Sequence, residues 1–252
     1  MCQTRHIKRE GEIKMNIIYF GFDLFSPCLE YLCSLKDVNI LKVYSFESDG
    51  YFDFNDDVKR LADKNNIAFT TEKITAEELK KQFEENNCDL IVSAGYQYRI
   101  PVEAVENCTG INIHPSLLPD LRGPWPIPWI ILKGMKESGV TIHKLSAKFD
   151  EGDILIQGKF EVCENDNYFS LEEKIKNKAI ALFKDFFSNR SFYYKNAKEQ
   201  GKGVYLPEPS DFERTVFSDT SQERKNLLIR AFSKEYLIYS DKNESEGKKI
   251  CH

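Results

Sequence analysis

Residues 15–22, Met15-Asn16-Ile17-Ile18-Tyr19-Phe20-Gly21-Phe22, decide the fold. The run is short, dense in apolar side chains and closed by a glycine, as a parallel strand buried on both faces is. Ser26-Pro27 follows as an N-cap and first-turn pair ahead of Leu29, Leu32 and Leu35, so a helix crosses back over the sheet. Val38 to Phe46 reads as a second strand. Asn55 then opens a helix with Val58, Leu61 and Ala62 on one face, and residues 67–71 form a weaker third strand. Thr75-Ala76-Glu77-Glu78 has capping-box spacing ahead of Leu79 and Phe83, and Asp89-Leu90-Ile91-Val92-Ser93-Ala94-Gly95 is a fourth buried strand ending at glycine. Strands and helices alternating with short connections imply right-handed crossovers and an α/β fold, an open and mostly parallel sheet with helices on both faces. The ligand crevice of such a sheet lies beyond the carboxyl ends of its strands.

Asn112-Ile113-His114-Pro115-Ser116-Leu117-Leu118-Pro119-Asp120-Leu121-Arg122-Gly123 follows the strand that begins at Ile111. Side chains two residues apart on a strand project the same way, so Asn112 and His114 leave the strand end together. Pro115, Pro119 and Gly123 stop the strand and turn the chain over the surface. Pro126 to Leu132 reads as a helix, Gly139 to Leu145 alternates with period two, and Asp153 to Val162 gives another strand. Between the last two lies an acidic turn, Phe149-Asp150-Glu151-Gly152-Asp153. Ser170-Leu171-Glu172-Glu173 reads as a second capping box, heading a long helix that closes the main domain near residue 195. Residues 198–210 are a connector. Thr220-Ser221-Gln222-Glu223 caps a helix with Leu227, Leu228 and Ala231, and Tyr236 to Ser240 pairs with Lys248 to Cys251 as a hairpin. The expected division is a loose extension over 1–14, a main domain over 15–200, and a small α+β appendage over 201–252. A hairpin of this kind, marginal alone, is also a natural contact for a homodimer.

With 252 residues, 41% of them hydrophobic, the chain can bury a large core, and its net charge of -5 argues against a polyanionic partner. Seven cysteines, odd in number and without a CxxC pair, read as free thiols of a reducing cytoplasm. The first 14 residues lack the apolar stretch of a secretory signal, and no apolar run is long enough to span a bilayer.

Of four histidines, His6 and His252 lie in the tails, leaving His114 and His143. No residues stand at zinc spacing, so no metal is expected. Gly21-Phe22-Asp23 lacks the further glycines of a dinucleotide loop, so the Rossmann-like layout does not imply a nicotinamide cofactor. What remains is Asn112, His114 and Asp150. An amide donor can stabilise an oxyanion, an imidazole can move a proton near neutral pH, and a carboxylate can orient it, a set that suits acyl transfer to an amine. Ser116, Cys108 and Cys163 stand in no elbow motif, which favours direct attack over a covalent acyl-enzyme. A plainer account stands beside this one: Asn112 and His114 bond turn backbone before Pro115, Asp150 is a turn residue, His143 is a satisfied core histidine, and Trp125 and Trp129 pack, with Trp125 alternatively lining a pocket.

The motif Asn112 to Pro119 with Arg122-Gly123, then Gly139-Val140-Thr141-Ile142-His143, then Asp150-Glu151-Gly152-Asp153-Ile154-Leu155 resembles the folate-dependent formyltransferase family in order and spacing. The resemblance runs from Met15 to the helix at Leu227 to Ala231. It implies a Rossmann-like formyltransferase domain, 10-formyltetrahydrofolate as co-substrate, and a primary amine as acceptor. It further implies Asn112 and protonated His114 as oxyanion donors, with Asp150 tuning His114 and helping to accept the amine proton. Tyr98, Arg99, Ile100 and Pro101, with Ser146, Ala147 and Phe149, would line the pterin pocket, although Tyr96 to Tyr98 depart from the usual hydrophobic pattern there. Ser116, Arg122, Gly123 and Trp125 would face the acceptor. Departures narrow that acceptor. Gly21 to Ser26 is not the phosphate loop of the glycinamide ribonucleotide enzymes. Few residues follow Pro209 for the carboxyl-terminal barrel of the methionyl-tRNA enzymes. His143 also resembles the sugar-modifying members. The acceptor expected on this basis is a nucleotide-linked amino sugar destined for a surface polysaccharide; methionyl-tRNA, an amino-acid amine or a non-catalytic folate-binding scaffold are the other readings.

Overall fold

A computed structural model describes residues 14–241. The chain enters β1 (Met15–Gly21), whose Ile17, Ile18, Tyr19 and Phe20 are fully buried. The Tyr19 hydroxyl, carried into the core with its ring, donates to the carbonyl of Phe25 at 3.1 Å, which satisfies a group that would otherwise be costly to bury. A short 3-10 turn, Asp23–Phe25, leads into α1 (Ser26–Ser34). Ser26 is therefore the first helical residue and not the cap: the turn already holds it at helical dihedrals, and Pro27 at the second position sacrifices no intrahelical bond. Then come β2 (Val38–Tyr44), α2 (Asp56–Lys64), β3 (Ala68–Thr70), α3 (Ala76–Glu84) and β4 (Leu90–Ala94). Thr75 caps α3 by accepting from the Glu78 amide at 3.1 Å, but Glu78 does not return the bond, because its carboxylate takes hydrogen bonds from Tyr44 and Gln82 instead.

The second half supplies β5 (Gly110–His114), α4 (Pro126–Leu132), β6 (Glu137–Lys144), β7 (Ile154–Glu161), α5 (Tyr168–Ser188) and α6 (Arg190–Lys195). The seven strands form one sheet in the order β3-β2-β1-β4-β5-β6-β7. Pairings from β3 to β5 are parallel, whereas β6 and β7 run antiparallel to their neighbours. Growth of the sheet reverses between β1 and β4, the switch point beyond whose strand ends a crevice forms. β6 is buried at every position from Ser138 to His143, so the alternating sequence there is covered on both faces. The capping box of α5 stands three residues earlier than its sequence suggests: Asn167 and Ser170 exchange bonds at 3.0 Å each, which draws Tyr168 into the first turn.

Beyond α6 the described residues add β8 (Thr215–Phe217), α7 (Gln222–Phe232) and β9 (Ile238–Ser240). Residues of the expected hairpin arm Tyr236 to Ser240 supply β9, which pairs in parallel with β8, made possible because α7 carries the chain back to the starting edge. The expected partner strand, Lys248 to Cys251, lies outside the described residues, as do the extension over 1–13, His6 and His252. α7 packs against α4 and α5, and its Leu228, Ala231 and Phe232 join the main core. Among the described residues no helix is long and apolar enough to cross a membrane.

Candidate active site

Asn112 and His114 leave the carboxyl end of β5 on the same face, as their two-residue spacing requires. Antiparallel pairing with β6 sets Asn112 opposite His143. Cross-strand partners have adjacent side chains, and the Asn112 amide nitrogen lies 3.1 Å from His143 Nε2. The protons can be placed by elimination. His143 Nδ1 is 2.8 Å from the carbonyl of Lys144, which only accepts, so Nδ1 carries hydrogen and Nε2 accepts from Asn112. The other hydrogen of that amide points to Asp150 Oδ1 at 3.3 Å. His114 Nε2 likewise donates to the carbonyl of Leu121 at 2.8 Å, leaving Nδ1 to face Asp150 Oδ1 at 3.4 Å.

Asp150 arrives from the β6–β7 connection, where it adopts a left-handed backbone with φ of 55°. Its Oδ2 accepts from the Gly123 amide at 2.9 Å, so the turn after β5 and the turn after β6 meet at one carboxylate. Burial works to raise this carboxyl, but the His114 ring, His143 and the Gly123 N–H outweigh it and hold Asp150 at about 2. Burial also moves His114 below its ordinary 6.5, against the pull of Asp150 and the Leu121 carbonyl. The resting pair at neutral pH is thus an ionised Asp150 beside a neutral His114. A ring buried at 4% exposure loses the hydration that would favour its charge. A proton taken up by His114 lands on Nδ1, between ring and carboxylate.

These four side chains line a cavity of about 340 Å³. Tyr98, Arg99, Ile100, Ser146, Ala147 and Phe149 border it, and Arg99 Nε donates to the Ala147 carbonyl at 3.1 Å, tying the two segments together. Gly123 and Trp125 border it too, with Trp125 stacked on Tyr236 and set edge-on to Phe52. Three expected wall residues do not reach it. Pro101 instead precedes the 3-10 turn Val102–Ala104. Ser116 is fully buried and donates to the Asp120 carbonyl at 2.7 Å, as a turn brace. Arg122 is drawn away by Gln200, whose Oε1 accepts from Nε at 3.1 Å and Nη2 at 2.8 Å. Conversely, the sequence marks His143 only as a candidate without a role beside Asn112, and it does not mark Gln200. The first was legible only through strand register; the second follows β5 by dozens of residues and carries no local signal. Among the described residues no three His, Cys, Asp or Glu side chains cluster so as to hold a metal ion.

Asp53 also lines the cavity, and burial together with Asp49, Glu208 and Glu172 pushes its carboxyl up to about 7. Between the ordinary 3.8 and about 7 the folded chain keeps a proton that the unfolded chain has released, so this site destabilises the fold progressively as pH rises through that window. Asp53→Asn, which cannot ionise, is expected to melt higher than the parent at about pH 8 and level with it near pH 4, as thermal unfolding at the two pH values will report.

The family model described as formyl transferase matches residues 33–185. The methionyl-tRNA formyltransferase of Ehrlichia chaffeensis is 32% identical over 244 residues, covering 90% of this chain and 78% of that protein. The GDP-perosamine N-formyltransferase of Brucella melitensis is 37% identical over 168 residues, 66% of this chain and 65% of that protein. In fold the chain is similar to an N-formyltransferase from Helicobacter canadensis solved with folinic acid and dTDP-3-aminofucose, with TM-score 0.68 and 24% identity over 90% of this chain and 84% of that one. Motif, fold and relatives agree: the chain belongs to the formyl transferase family.

Proposed function

We propose that this protein moves a formyl group from 10-formyltetrahydrofolate to the primary amine of a small acceptor, an amino sugar carried on a nucleotide and destined for a surface polysaccharide. The observation that carries the reading is the convergence of Asn112, His114, His143 and Asp150 on one cavity in a chain of this family. Aromatic walls from Phe22, Phe46, Tyr96 and Tyr98, with residues 97–100 and 145–148 lining the same cavity, suit a planar heteroaromatic ring. The acceptor amine attacks the formyl carbon, a new C–N bond forms, and the bond from that carbon to the folate nitrogen breaks. Asn112 stabilises the oxyanion. Both its amide hydrogens are engaged at rest, and the longer bond, to Asp150, is the one exchanged for the developing charge. The proton released by the amine passes to His114 Nδ1, where Asp150 stabilises the imidazolium, and from there to the departing nitrogen.

The sugar acceptor is supported by the Brucella relative and by the ligand named for the Helicobacter structure. The net charge of -5 disfavours a tRNA, whose long phosphate backbone calls for clustered basic residues. A panel of nucleotide-linked amino sugars, amino acids and charged initiator tRNA, each incubated with the protein and 10-formyltetrahydrofolate, should show a gained formyl mass on a sugar. Formylation of tRNA alone would overturn the acceptor assignment, and no turnover with any amine would leave a folate-binding scaffold.

A further inference from the structure

The segment after α6 crosses both turns that build the site. Lys198 pairs with Ile154 through two backbone bonds of 2.8 and 2.9 Å, just beyond the Asp150 turn. Leu206 donates to the Arg122 carbonyl at 2.7 Å, in the turn after β5. Midway, the half-buried Gln200 reaches inward. Its Nε2 donates to the carbonyls of Asp150 at 2.8 Å and Gly152 at 2.6 Å, while its Oε1 accepts the two bonds from Arg122. A carbonyl can only accept and a guanidinium can only donate, so the orientation of this carboxamide is settled by its partners. All four of its hydrogen-bonding positions are filled. Arg122 also donates to the Gly201 carbonyl at 3.2 Å and lies 4.0 Å from Glu151, which keeps the guanidinium in place.

The Asp150 turn needs such a hold. Asp150 sits at positive φ, Gly152 is pressed so closely on β6 that an added Cβ would lie 1.8 Å from the Lys144 carbonyl, and the two carbonyls converge on one point with no strand to pair them. We propose that Gln200 is a positioning residue for the reaction: by bridging the carbonyls of Asp150 and Gly152 it fixes the turn that presents the Asp150 carboxylate to Asn112 and His114. It does not line the cavity. It acts through Asp150, and Arg122 acts through it.

Two variants separate this role from simple support of the segment. Gln200→Met keeps length and bulk but removes every hydrogen bond. Gln200→Glu keeps the pairing with Arg122 but replaces the donor to the two carbonyls by an oxygen that repels them. Both are expected to lower kcat for formyl transfer by roughly 100-fold, the scale of a small misplacement of catalytic groups, with KM for the formyl donor unchanged. Gln200→Glu at parental kcat would overturn the assignment, because anchoring of the segment through Arg122 would then suffice. The kcat reading rests on the proposed formyl transfer, so a second measurement avoids it: the 13C titration of the Asp150 carboxyl in substrate-free protein, followed in the parent and in Gln200→Met. The groups facing that carboxylate are His114 from β5, His143 from β6 and Tyr205 from the crossing segment. A loosened turn withdraws it from the imidazoles and the Gly123 N–H, so its titration is expected to move up from about 2; an unmoved titration would refute the role. A moved titration in a protein that formylates nothing would leave Gln200 as the keeper of the turn and reject the formyl-transfer reading. Should Gln200→Met fail to fold, Gln200→Asn, with the same carboxamide on a shorter arm, takes its place with the same expected results.

Discussion

Asp150→Asn is expected to lower kcat for formyl transfer by roughly three orders of magnitude in a protein that stays folded, on the scale of losing an acid that orients a catalytic histidine. The side chain is nearly isosteric, and the site dictates how it sits. The Gly123 N–H can only donate, so the new amide oxygen turns to it and the amide nitrogen faces His114 Nδ1. The Nδ1 lone pair, which receives the proton of the attacking amine, is then occupied by a neutral donor. The carboxylate that draws the pKa of His114 upward against its burial is also gone, so the ring resists protonation further. Steady-state rates beside urea denaturation curves test this. A variant within tenfold of the parent, with an unchanged denaturation midpoint, would remove Asp150 from the mechanism.

Gly123→Ala is expected to cost about 3 kcal/mol or more of stability and most of the activity. The added Cβ would lie 2.0 Å from the Leu206 carbonyl oxygen, at a φ of 119° that side-chain-bearing residues rarely adopt. Backbone on both sides prevents an easy escape, because Leu206 is itself bonded to Arg122. Relief requires the crossing segment to lift, and with it the Gly123 N–H leaves Asp150. Gly134→Ala provides the internal comparison. Its φ of 60° is also positive but nothing lies within 4 Å, so only the left-handed penalty of about 1–2 kcal/mol applies. Equal losses at the two positions in urea denaturation would show that the crossing segment yields, contrary to the packing described.

The strands and most helices of residues 15–188 are legible because each is signalled locally, whereas the expected single helix to about residue 195 breaks at Asn189 into α5 and α6. The dense run at Met15–Gly21, the apolar face of α2 and the Thr75 cap each carry their own evidence in neighbouring residues. Errors arose where two local signals competed. Asn167 and Ser170 both offer a cap, and the one adding a turn with buried Tyr168 prevailed. At the carboxyl end, alternation marks the strand at Ile238–Ser240, whereas the three residues of Thr215–Phe217 are too few to show a period.

The sequence by itself determined the alternation of strand and helix, the strand end that sends Asn112 and His114 out together, and the acidic turn holding Asp150, because dihedral preference and side-chain periodicity act over a few residues. Tertiary structure alone decided that His143 is the acceptor orienting Asn112, that burial draws the His114 pKa down, that Arg122 braces the site from behind, and that Gln200 spans the Asp150 turn. Each of these depends on register between strands, on depth of burial, or on a contact between residues tens of positions apart, and such quantities exist only once the sheet has formed and its connections have packed over the strand ends.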